Sequence, residues 1–244
     1  MQGANTIPAD MPIQSYNRLQ IPYNYDPITE MHPVYIELEL SDLVNLDTQD
    51  GVIYVTAYMT LLWKDYRFQW DMKYANVSSS FVDMNFIWIP DITLYNQAGD
   101  SKIMDAPAQI YHDGSVRLRR IAFLSAYCGV NIKSFPFDTQ LCTLDFASWA
   151  GHLAVTAAPK QLRLTRNNLI SPQAVYSISY NLDSFTADNT LKDEGGIQKN
   201  WPFVVYTLKV TRHSRFYIST TIFPIIIVTV ICVFGLWNPT STRD

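Results

Sequence analysis

Charge is scarce in this chain, and positive charge scarcer than negative. Lysine and arginine total 18 against 22 aspartates and glutamates, a net charge of −4. That balance offers no basic patch for a nucleic acid. Histidine is rare as well: the four, at positions 32, 112, 152 and 213, show no metal-ligand spacing. The chain contains no Gly-x-Ser-x-Gly, no Cys-x-x-Cys and no phosphate-cradling loop. A nucleophile elbow, a redox pair and a nucleotide site are therefore all unsupported. No catalytic residue, cofactor or metal is expected, and an enzyme of the secretory pathway is the weakest reading. There is no internal repeat, no low-complexity segment, and no 3.6-residue periodicity before Phe216. Nothing at Met1 reads as a signal peptide, so a mature or engineered N-terminus is expected.

Aromatics and alternation are what the chain does have. Its 244 residues suit one large β domain or two small ones. In Val34–Leu40, Val34, Ile36, Leu38 and Leu40 share one face, while Tyr35, Glu37 and Glu39 share the other. A turn at Asn45–Gly51 follows. Ile53, Val55, Ala57, Met59, Leu61 and Trp63 then line one face of a long strand, which places Tyr58 on the outer face. An aromatic there is costly to expose unless a neighbour or a ligand covers it. Trp88-Ile-Pro90-Asp91 reads as a loop with a pinned corner. Asn76-Val-Ser78 is a glycosylation sequon in an expected surface loop. In the strand Ser115–Leu124, Arg117 and Arg119 point the same way and repel unless an anion or carboxylate lies opposite. Asp183–Gly196 reads as a long polar hairpin tip, and Val204–Val210 alternates again. Residues 11–19 are expected to form a short capping helix. Many short strands separated by turn signals predict an immunoglobulin-like β-sandwich.

From Phe216 to Trp237 there is no charged residue. About 20 apolar residues cross a bilayer as a helix, and aromatics at both ends fit the interfaces. A transmembrane helix is therefore predicted, with a buried core helix as the alternative. Cys232 lies within this run, where a lone cysteine is expected to behave as a small buried hydrophobe.

The other two of the three cysteines, Cys128 and Cys142, bracket thirteen residues that include Phe135-Pro136-Phe137-Asp138 and Gln140. If the two are joined, the ring removes roughly 3 kcal/mol of unfolded-chain entropy and implies an oxidising compartment. An ordinary hairpin disulfide in a secreted β domain is one reading. The other is a loop whose apolar, proline-stiffened tip presses on a membrane-embedded helix. The spacing and the internal tetrapeptide together resemble the signature loop of the eukaryotic Cys-loop receptors, the pentameric ligand-gated ion channels. The resemblance covers nearly the whole chain: Trp63, Trp70, Trp88-x-Pro90-Asp91, Trp149 and Pro224 fall in family order. Phe-Pro-Phe-Asp looks more like the nicotinic, cation-selective branch than the glycine and GABA branch.

The resemblance implies a Cys128–Cys142 disulfide and an extracellular β-sandwich domain at 1–211. A segment before the helix, the first membrane helix at about 216–237 and the start of a loop would occupy 212–244. It implies a plasma-membrane protein, a homopentamer, and a small-molecule agonist held between subunits in a box of aromatics. Tyr95, Trp149 and Trp201 match the principal face. Tyr58, Arg117 and Arg119 match the complementary face. The tip of the third binding loop lacks the vicinal cysteines of acetylcholine-binding subunits, and Glu194 stands where a tyrosine is usual. A cationic or zwitterionic agonist is expected, with acetylcholine itself disfavoured. Phe135, Pro136, Phe137, Asp138, Asp47 and Arg212 match coupling positions. Arg212 is expected to pair with Asp138, because Thr48 replaces a common glutamate near Asp47. The Phe135–Pro136 bond is a candidate cis peptide. A soluble binding protein of the same fold is the alternative, and the run at 216–237 argues against it.

Overall fold

The computed structural model describes residues 16–22, 32–75, 77–150, 153–158, 179–194 and 198–237. Alternation builds the domain. Val34, Ile36 and Leu38 on β1 (His32–Asp47) are fully buried, as are Ile53, Ala57, Met59 and Leu61 on β2 (Val52–Gln69). Successive side chains of a strand point to opposite faces, so each such row becomes one wall of the core. Gly51 turns between the two strands with φ +65°, a conformation glycine adopts at little cost. Its carbonyl accepts from the Cys128 amide at 2.8 Å.

After β2 come a single helical turn α1 (Met72–Ala75), the edge strand β3 (Ser79–Val82), β4 (Ile92–Leu94), β5 (Lys102–Ile103) and β6 (Ala108–Tyr111). Then follow β7 (Asp113–Tyr127), β8 (Thr139–Ser148), β9 (Leu153–Ala157), β10 (Tyr180–Glu194) and β11 (Gln198–Arg212). One sheet runs β3-β6-β7-β2-β1-β9 with β5 also on β7, and the other runs β10-β11-β8-β4. β9 lies parallel to β1, and the other pairings are antiparallel. The sheets face each other across one core. Tyr206 of β11 reaches across it, its hydroxyl donating to the Ile36 carbonyl at 3.2 Å.

Two local expectations are corrected. Residues 16–19 form a turn rather than helix, closed by Asn17, and the remainder of the expected capping helix lies outside the described residues. Asp183–Glu194 is not a loose tip but the body of β10, paired with β11 out to Glu194–Gln198. Its polarity misled because this is a surface strand whose outward positions are polar.

β11 ends at Arg212, and a helix α2 (Ser214–Trp237) begins at once. Its most apolar 18 of 24 residues have a mean hydropathy of 2.4, and none of that stretch is covered by the rest of the described residues. It is long and apolar enough to cross a bilayer. Pro224 has no amide hydrogen, and the turn before it, Ile218–Ile222, is a π-helix. Such wide turns let a helix pass a missing hydrogen bond.

Candidate functional site

Four aromatic rings gather where β4, β8 and β11 meet. Tyr95, in the turn after β4, is central. Its ring centroid lies 6.1 Å from Trp149, 6.2 Å from Trp201 and 4.8 Å from Phe203. Tyr95 also donates its hydroxyl to the Ser148 carbonyl at 3.3 Å. Trp149 follows the last residue of β8 and is 70% exposed, although it is the largest apolar side chain available. An aromatic left open beside three others is a surface with an unused face.

Asp91 explains how Trp149 is held there. Asp91 Oδ1 accepts from Ser148 Oγ at 2.7 Å, Oδ2 accepts from the Ala150 amide at 2.7 Å, and the Trp149 amide donates to the Asp91 carbonyl at 3.2 Å. The pinned corner of Trp88-x-Pro90-Asp91 therefore pins a second loop 57 residues on. A second clamp comes from β10. Lys192 Nζ donates to Asp145 Oδ2 on β8 at 2.6 Å and lies 4.7 Å from the centre of the Phe203 ring. It ties the β10–β11 hairpin to β8 beside the rings. Trp201 Nε1 is buried and has no acceptor among the described residues.

Tyr58, Arg117 and Arg119 lie elsewhere, on the outer face of the seven-stranded sheet. Thr60 pairs with Arg119, and Leu62 pairs with Arg117. The carboxylate required opposite the two arginines is Glu39, which accepts from Arg119 at 3.0 Å. The Arg119 guanidinium also lies 4.7 Å from the centre of the Tyr58 ring. The outward tyrosine is thus covered by the chain's own cation. Arg117 has neither an ion pair nor a hydrogen bond among the described residues. Glu194 ends β10 opposite Gln198, and its side chain lies outside the described residues. Asn76 lies outside them too.

At the other end of the sandwich, Cys128 and Cys142 are joined, and Phe135–Pro136 is cis. Arg212 meets Asp138 through two bonds, Nε to Oδ1 at 2.7 Å and Nη2 to Oδ2 at 3.1 Å. The pair is almost fully buried. The guanidinium is ringed by Tyr180 at 4.8 Å, Phe135 at 5.1 Å and Tyr217 at 5.2 Å. Burial pushes the Asp138 carboxyl up, but hydrogen bonds from Arg212 and Gln140 outweigh it and hold the group below the usual carboxylate range. Asp47 takes no part in that pair; its Oδ1 caps its own turn, accepting from the Gln49 and Asp50 amides. Phe135 packs on Tyr217 of α2 with centroids 5.1 Å apart, while Phe137 is exposed. The loop tip therefore touches the first turn of the apolar helix.

The model of the neurotransmitter-gated ion-channel ligand binding domain family matches residues 9–214. The chain belongs to this family. Among similar curated proteins is the neuronal acetylcholine receptor subunit alpha-9 of Gallus gallus, 27% identical over 86% of this chain and 43% of that protein. The acetylcholine receptor subunit alpha-L1 of Schistocerca gregaria is 25% identical over 95% of this chain and 43% of the relative. Subunit beta-like 2 of Drosophila melanogaster is 27% identical over 95% and 46%. The chain thus spans less than half the length of these relatives. The family is one of ligand-gated channel receptors, not of enzymes.

Within this neurotransmitter-gated domain, sequence reasoning named the rings but missed their supports. Asp91 was legible only as a corner, and Lys192, Asp145, Phe203 and Glu39 carried no local signal. Lys192 and Asp145 lie 47 residues apart in the chain, and Glu39 and Arg119 lie 80 apart.

Proposed function

We propose that the chain is the ligand-binding part and first membrane helix of a pentameric ligand-gated channel subunit at the plasma membrane. The domain ends at residue 211, and the membrane-entering segment begins at Arg212. A small ligand with a cationic group binds between two copies, against Trp149, Tyr95 and Trp201 of one and Tyr58 of the next. The observation that carries this reading is the separation of the half-sites. Trp149 offers an open aromatic face on one sheet, and Tyr58 sits on the outer face of the other. No contact joins them among the described residues of one chain, so a ligand touching both needs two copies. Aromatic faces attract a cation by about 0.5–2 kcal/mol each, more when desolvated. Because both half-sites are in one chain, a homopentamer completes five sites.

Closure of the β10–β11 hairpin over the ligand transmits to the disulfide loop through β11, which runs from Trp201 to Arg212 without a break. Arg212, held by Asp138, lies directly before α2. Binding shifts a pre-existing equilibrium by differential affinity. The Phe135-Pro136-Phe137-Asp138 tetrapeptide, which resembles that of the nicotinic branch, favours a cation-selective pore. Current recording from the full-length protein against a panel of small amines tests the reading. A saturable current is expected from the wild type, with a large rightward shift for Trp149→Ala. An unchanged concentration–response in that variant places the site elsewhere, and recovery of the protein as a monomer ends the reading.

A further inference from the structure

His32 opens β1 with its ring almost fully buried and neither ring nitrogen bonded to anything among the described residues. The ring meets Trp88 edge-on, with centroids 5.7 Å apart. Its neighbour on β9 is Leu153, which carries no charge. The charged groups acting on it are Asp65 and Arg67 of β2, and Tyr16 of the N-terminal turn is bonded to both. Burial outweighs the pull of Asp65 and holds the ring below the usual histidine range, so it is neutral at pH 7.

Asp65 is fully buried and all its bonds are committed. Oδ1 accepts from the Arg67 amide at 3.1 Å and from Arg67 Nε at 2.8 Å. Oδ2 accepts from Arg67 Nη2 at 2.7 Å and from the Tyr16 hydroxyl at 2.8 Å. The Tyr16 hydroxyl in turn accepts from the Trp88 amide at 2.9 Å. Trp88 heads the corner whose Asp91 carboxylate pins the Trp149 loop. Contacts therefore run unbroken from a buried, unpartnered imidazole to the exposed ring of the candidate pocket.

A protonated imidazole carries two N–H donors, and a buried charge without a partner is costly. Asp65 is the one carboxylate acting on this ring among the described residues. Tyr16 has the weaker hold on it, because Arg67 brings a charge and the hydroxyl does not. We propose that His32 is a proton-operated release for the Trp149 loop. The ring takes a proton from solvent, Asp65 turns from Tyr16 to the imidazolium, and Tyr16 lets go of the Trp88 corner. The proton stays on His32, and Asp65 remains a carboxylate throughout. Tyr16 is the positioning residue of the device. Loosening the loop lowers ligand affinity in acid, and by reciprocity a bound ligand makes the ring harder to protonate. That effect on affinity rests on Trp149 bearing the ligand, as argued under the proposed function; the release itself does not.

Hydrogen–deuterium exchange of the full-length protein tests the release with no ligand present. The Trp149 and Ala150 amides, both bonded to Asp91, are followed from about pH 7.5 to about pH 5 and corrected for the intrinsic pH dependence of exchange. Their protection is expected to fall about tenfold or more, the size of one lost hydrogen bond, in a one-proton step centred below about pH 6.5. His32→Phe and His32→Gln are expected to keep it constant. Tyr16→Phe is expected to show low protection at every pH and no further fall in acid, because the relay is cut. A general loss of stability would leave the fall intact in that variant. The proposal is overturned if wild-type protection does not change, if the step is centred above about pH 6.5, or if either His32 variant keeps the fall. A full fall in Tyr16→Phe overturns it too. The wild-type titration stands alone, so the proposal can fail even where a variant does not assemble. Current recording separates this failure from that of the pocket. If the exchange result holds and Trp149→Ala leaves amine responses unchanged, the release stands and the pocket falls. If exchange is insensitive to pH and Trp149→Ala shifts those responses, the pocket stands and the release falls.

Discussion

Replacing Asp138 by asparagine isolates the buried ion pair at the foot of the sandwich. The two side chains are 1% and 3% exposed, so the variant strands a guanidinium with almost no water to solvate it. Breaking such a pair from one side typically costs about 3–5 kcal/mol. The three rings around Arg212 offset part of this, since each is worth about 0.5–2 kcal/mol to a nearby cation. A net loss of about 2–4 kcal/mol is expected. For a domain of about 200 residues that corresponds to roughly 5–15 °C in Tm. The second variant decides the cause. In Asp138→Asn/Arg212→Met no charge is stranded, so its loss should be smaller than the sum of the two single losses by at least about 1 kcal/mol. Thermal unfolding of the full-length protein in detergent, followed by tryptophan fluorescence, measures all four corners of the cycle. The pair also has a pH signature. The folded carboxyl titrates below its unfolded value, so its stabilisation is complete above about pH 4 and is lost as pH falls through the folded value. Additive single losses, or a midpoint in Asp138→Asn within 1 °C of the wild type, would refute the reasoning.

Other outcomes follow from the same contacts. Asp91→Ala removes two hydrogen bonds that hold the Trp149 loop, so agonist potency should fall about tenfold or more with surface level preserved; unchanged potency would show that the loop holds itself. His32 is buried with neither ring nitrogen partnered among the described residues, and burial pushes its pKa down. Stability should therefore begin to fall as pH drops below about 6.5, because the unfolded chain takes up the proton first. The fall should flatten in His32→Phe, and an identical pH profile in both proteins would exclude this histidine. Cys128→Ser removes roughly 3 kcal/mol of unfolded-state constraint and should block surface expression, so a normal surface level counts against the staple.

The parts of this protein written in short range were readable without coordinates. Period-two alternation placed Ile36, Ile53 and Met59 in the core and Tyr58 outside it, because a strand can bury only alternate side chains when one face is wet. The uncharged run at 216–237 declared a membrane helix for an equally local reason: every residue in it must tolerate lipid. The Cys128–Cys142 spacing and its internal tetrapeptide carried the family, and the Arg212–Asp138 pairing was expected from that resemblance. Tertiary structure decided what sequence distance hides. Only folding puts Asp91 under Trp149, Lys192 on Asp145, and Glu39 against Arg119, since ion pairs and clamps leave no periodicity in the chain. The same holds for β10, whose polar residues read as a loop until its pairing with β11 showed where its backbone hydrogen bonds go. Which charges remain unpaired is a property of the assembled surface. Two arginines spaced two apart are equivalent in sequence, and a glutamate 80 residues away makes them different.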